Sequence, residues 1–146
     1  MSNEDDNAAL PAALARYKGR SNPAAVAATL SRSGCARHCP LTDFYETYSG
    51  PFGSKFIAYT FFDLLDQADN VVTQTMELRS TFGTPERYLV LSDMCGLAVL
   101  VYDCGTDAVF NMDLEGSEQK LIAGTLRPTW PSLRAFLEFF FLGVGA

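Results

Sequence analysis

With 146 residues, 48% of them apolar and 19% charged, the chain has the length of one domain and the composition of a folded one, so a core can form without a metal or disulfide staple. The net charge of −6 is uneven: residues 1–40 carry five bases against three acids and residues 41–146 six against fourteen, a balance of +2 against −8. The carboxylate surplus disfavours nucleic acid and anionic membrane as partners and favours a basic protein, although plain solubility explains acidity equally well.

The acidic start Met1-Ser2-Asn3-Glu4-Asp5-Asp6 lacks the basic and apolar regions of a secretory leader. The apolar run Phe139–Val144 is far short of the roughly 20 residues that span a bilayer. A cytoplasmic protein with reduced thiols is expected. Residues 1–21 place Leu10, Leu14 and Tyr17 at near-helical spacing, but Pro11 and Gly19 interrupt them, so a frayed or weakly helical arm precedes a single domain over residues 22–146. Asn22-Pro23 reads as an N-cap with proline at the first helical position, and Ala24–Ser33 ends at Gly34. Pro40 opens a second short helix with Phe44 and Tyr48 on one face, closed by Ser49-Gly50-Pro51.

Lys55–Thr60 is a candidate strand. Phe61, Leu65, Ala68, Val72 and Met76 recur at three- and four-residue steps, which predicts a helix over Asp63–Ser80 with a possible break at Asp69-Asn70. Three short apolar runs follow, Tyr88–Leu91, Leu97–Tyr102 and Ala108–Met112, separated by Met94-Cys95-Gly96 and Asp103-Cys104-Gly105-Thr106. That alternation of strand and turn chemistry predicts an antiparallel meander, and its middle strand, apolar on both faces, must be covered on both sides. Finally, Thr129 and Pro131 can open a helix in which Leu133, Phe136, Leu137, Phe140 and Phe141 form one apolar stripe, which has to lie on the sheet. The fold class is α+β: a mixed, mostly antiparallel sheet built on the meander, with helices packed against it.

Chemistry-bearing patterns are sparse. Cys35, His38 and Cys39 are close in sequence, but Cys95 and Cys104 are nine apart, so the short ligand pairs of a zinc site are incomplete and no metal is expected. His38 is the sole imidazole, and a Cys39–His38 nucleophilic pair is a minor alternative to a solvent-facing loop histidine. Phosphate-loop, dinucleotide and zinc-helix motifs are absent from the sequence. Neither a cofactor nor an enzymatic activity is expected. Binding has more to work with. Asp93, Asp103, Asp107, Asp113, Glu115 and Glu118 fall at strand ends and loops, where side chains reach solvent, although turn chemistry alone also accounts for Asp103 and Asp107. Trp130, Tyr45 and Tyr59 are candidate anchors, with core packing preferred for Trp130.

The order of elements carries a resemblance. Pro40, Phe44, Tyr45, Tyr48 and Gly50 form a Pro-Leu-x-x-Phe-Tyr-x-x-Tyr-x-Gly segment. Tyr102, Asp103, Gly105, Thr106 and Val109 follow in the meander, and Trp130, Leu133, Phe136 and Leu137 in the closing helix. Over roughly residues 24–142 this resembles the SUKH superfamily of Smi/Knr-type domains. The resemblance implies a mixed sheet with packed helices, no catalytic residues, and a role shared by many bacterial members, that of an immunity protein that neutralises a cognate toxin, frequently a nuclease. Other members are regulatory binding modules. The longer N-terminus and the 61–80 segment depart from the simplest family pattern. The resulting expectation is a cytoplasmic immunity protein, monomer or homodimer, that occludes a basic protein toxin. The alternative is a non-catalytic regulatory or scaffolding module.

Overall fold

The structure, a computed structural model, describes residues 3–65 and 68–145. Met1 and Ser2 of the expected arm and residues 66 and 67 of the expected 63–80 helix lie outside the described residues. The meander is the frame, with β1 (Tyr88–Val90), β2 (Ala98–Asp103) and β3 (Val109–Asp113) hydrogen-bonded in that order. Leu89 lies opposite Tyr102 and Val101 opposite Phe110, and both pairings are antiparallel. No parallel pair joins the described strands, so the sheet is wholly antiparallel where a mixed one is expected.

Because side chains alternate along a strand, β2 serves two cores. Leu100 and Tyr102, with Leu89 and Val109, belong to a large core shared with Leu41, Phe61 and Phe136. Val99 and Val101, with Tyr88, Val90, Phe110 and Met112, belong to a smaller one completed by Leu78 and Leu121. The expectation that the middle strand is covered on both faces is met.

The helices are α1 (Asn3–Leu14), α2 (Ala24–Arg32), α3 (Pro40–Thr47), α4 (Val71–Phe82), α5 (Ser117–Ala123) and α6 (Leu133–Leu142), with a 3-10 turn at Ala15–Tyr17 after α1. Among the described residues no helix is long and apolar enough to cross a membrane. Of the predicted α6 stripe, Leu133, Phe136, Leu137 and Phe140 are buried in the core shared with the sheet and Phe141 is half-buried against it, and α1 packs against α6. The N-terminal segment is thus part of the fold, since Leu10 and Leu14 are buried. Beyond it, the buried Arg20 guanidinium pairs with Asp63 and donates to the carbonyls of Tyr45 and, at 2.9 Å, Tyr48. Gly34 ends α2 at φ +107, and a Cβ there would meet the Glu86 carbonyl oxygen at 2.3 Å, so the α2 exit can approach the β1 entry only as glycine.

Three expected elements differ. Lys55–Thr60 is a bent loop, not a strand, because its backbone finds no ladder: Phe52 and Phe61 bridge around it, and the Thr60 N–H donates to the Asp93 side chain. The 63–80 helix begins only at Val71, where Asn70 caps it by accepting from the Thr73 N–H at 2.9 Å, and Met76 on the expected stripe is exposed. Ser132, not Thr129, caps α6 by accepting from Ala135 N–H at 3.1 Å, while Thr129 accepts from the Asn111 N–H.

Candidate partner-binding face

The six acids proposed from sequence separate in space, and most already hold the fold together. Asp103 is buried: its carboxylate takes two hydrogen bonds from Arg87, at 2.9 and 2.7 Å, and one each from Gly105 N–H and the Thr106 hydroxyl. Burial pushes its carboxyl up, but the Arg87, Gly105 and Thr106 bonds together outweigh that and hold it below the ordinary carboxylate value. Asp107, at φ +69, accepts from the Tyr102 hydroxyl at 2.6 Å and from the Leu133 N–H at 3.3 Å, tying the β2–β3 turn to the start of α6. Glu118 is buried, accepting from the Gly116 N–H, and Asp93 is half-buried on Thr60. Asp103 and Glu118 therefore do not project to solvent as expected: Asp103 is drawn inward by Arg87 together with Gly105 and Thr106 of its own turn, and Glu118 by the Gly116 N–H.

Asp113 and Glu115 remain at the surface, on the β3–α5 turn. The Ser117 hydroxyl, at 2.6 Å, and then the Glu115 N–H lower the Asp113 carboxyl below its usual value, so it stays ionised. This turn adjoins the β1–β2 hairpin, whose Leu97 carbonyl accepts from the Leu114 N–H at 2.8 Å. Here lies a feature that sequence reasoning missed. Met94 and Leu97 are 55% and 52% exposed, and with Leu78, Phe82, Leu114 and Glu77 they border a groove of about 360 Å³ between α4 and the hairpin. The hairpin turn has two central residues, Gly96 at φ +57 and Leu97 at φ +64, closed by Cys95 and Ala98 exchanging hydrogen bonds of 2.9 and 3.1 Å. Such a turn favours glycine or asparagine, and a left-handed leucine costs about 1–2 kcal/mol. The signal was present as an apolar residue directly after Gly96, where turn chemistry predicts a polar one.

The proposed anchors are core residues. Trp130 is buried, its ring 5.0 Å from that of Phe136; Tyr45 donates to the Phe62 carbonyl, and Tyr59 to Asn111. Cys35 and Cys39 are free thiols with their sulfurs 3.5 Å apart, and the Cys39 sulfur lies 3.5 Å from the Thr42 hydroxyl. His38 turns away from them to Asp43 at 2.7 Å in the open, so the Cys39–His38 pair is not assembled. Among the described residues no three His, Cys, Asp or Glu side chains are grouped to hold a metal ion. The hydrogen bond with Cys104, together with burial, pushes the Cys35 thiol up to about 12, and the bond with Cys35 raises Cys39 in the same direction. As thiols they are packing groups at neutral pH, with little thiolate for nucleophilic chemistry.

Comparison of the chain with family models, with curated proteins and with solved structures finds no match.

Proposed function

We propose that the domain is a non-catalytic binding protein whose acidic hairpin end grips a basic protein partner. What supports this is the juxtaposition at that end of exposed apolar side chains, Met94 and Leu97, with the surface carboxylates of Glu77, Asp113 and Glu115. Apolar contact supplies affinity while charge supplies steering and selectivity, which is how protein interfaces divide the work. Within that class, the SUKH-like order of sequence elements favours an immunity protein: a cytoplasmic chain that occludes a cognate, basic toxin, a nuclease by class, with no cofactor.

Co-expression tests it. Cells producing the toxin candidate encoded beside this chain are expected to survive when the chain is co-produced, and the two proteins to co-purify. Continued killing, with no complex recovered, rejects the immunity role.

A further inference from the structure

We infer that the Met94–Leu97 hairpin tip and the groove behind it are the anchor point for the partner, and that they take a segment carrying apolar side chains flanked by lysine or arginine. The inference rests on the binding reading above. Leucine is a disfavoured choice for the fold at position 97: its backbone sits in the left-handed region, where glycine fits without strain, and about half of the residue is left in solvent. A strained residue that also leaves apolar surface in water is disfavoured twice in the isolated chain, and a bound partner removes the second penalty. Met94, equally exposed, stands beside it and adds an unbranched side chain that adapts to a range of apolar shapes.

The groove that these residues border is floored by Leu78, Phe82, Val90 and Val99. Its volume of about 360 Å³ is at the small end of ligand-sized clefts, about 300–1,000 Å³, and suits a few side chains better than a whole element. Charge selects among occupants. Glu77 is the only ionisable side chain among its lining residues, Asp113 and Glu115 flank Leu114 at the rim, and no lysine or arginine lines it. A basic flank around the apolar anchor meets these carboxylates, whereas a second copy of this acidic chain meets its own sign.

The test is amide NMR of the full chain titrated with three synthetic peptides: alternating lysine and leucine, glutamate and leucine, and lysine and serine. The lysine–leucine peptide is expected to shift Leu78, Met94, Leu97 and Leu114 and the other two to leave them unmoved. Leu97→Gly is expected to weaken that binding at least tenfold while the thermal midpoint holds or rises, since glycine suits this turn. Equal shifts with the lysine–serine peptide, shifts elsewhere, no shifts, or shifts of these residues on concentrating the chain alone would overturn the inference. Leu97→Gly in the co-purification assay separates the two levels. Retention of a toxin complex by this variant at full affinity leaves the binding reading standing and removes the anchor. Failure of the unaltered chain to bind toxin removes the immunity reading, while the peptide result still decides the groove.

Discussion

Single carboxylates show how far a residue's role depends on partners distant in sequence. Asp103 and Glu118 read as surface acids because turns face water, yet the donors that draw Asp103 inward include Arg87, sixteen residues earlier, which no local pattern announces. Asp107 is similar: replacing it with alanine leaves the buried Tyr102 hydroxyl without its acceptor, which costs about 1–3 kcal/mol. Urea denaturation is expected to show that loss, whereas Glu115→Lys stays within about 0.5 kcal/mol and instead slows association with a basic partner at low salt. The thiols give a pH dependence whose sign is fixed. With folded values raised above the 9.0 of a free thiol, Cys35 to about 12, the neutral thiols stabilise the fold fully below pH 9, and that stability is lost as pH rises from 9 toward 12. The urea midpoint is expected to fall between pH 8 and pH 10.5, and to fall less in a Cys35→Ala/Cys39→Ala variant. An equal fall in both proteins would assign the effect to other groups.

At the scale of elements, legibility followed periodicity backed by punctuation. The meander and the α6 stripe were readable because strand alternation, turn residues and helical spacing all agreed. Phe136 is accordingly fully buried against Phe61, Trp130 and Phe140, and Phe136→Ala is expected to cost about 3–5 kcal/mol by calorimetry. The segment before α4 misled because Phe61, Phe62 and Leu64 are apolar for a different reason: they fill the core from an irregular loop. Asn70, anticipated as a break, is the start of the helix. A side chain cap and a chain break carry the same residue types, so spacing alone does not tell them apart.

In the whole molecule, a two-faced sheet leaves little of its own surface free, and the segment read as an arm closes one side of the larger core. The buried Arg20–Asp63 pair fixes that segment to the loop ahead of α4, and Gly50 N–H also donates to Asp63 at 3.0 Å. Removing one partner strands a buried charge, so Arg20→Ala is expected to destabilise the entire domain by about 3–5 kcal/mol in a single cooperative transition, followed by circular dichroism. With both sheet faces and the N-terminal side consumed in packing, the hairpin end is where apolar and acidic groups are left together at the surface. Its groove was not visible from sequence, since it arises from α4 and the β3–α5 turn meeting a hairpin across the fold; its strained tip left only the local sign of an apolar Leu97 after Gly96. Hydrogen–deuterium exchange on the domain bound to the basic partner proposed above addresses this most directly. Protection is expected to concentrate in residues 74–82, 94–97 and 113–116; protection centred on the opposite turn, residues 103–107, or spread without focus, would contradict it.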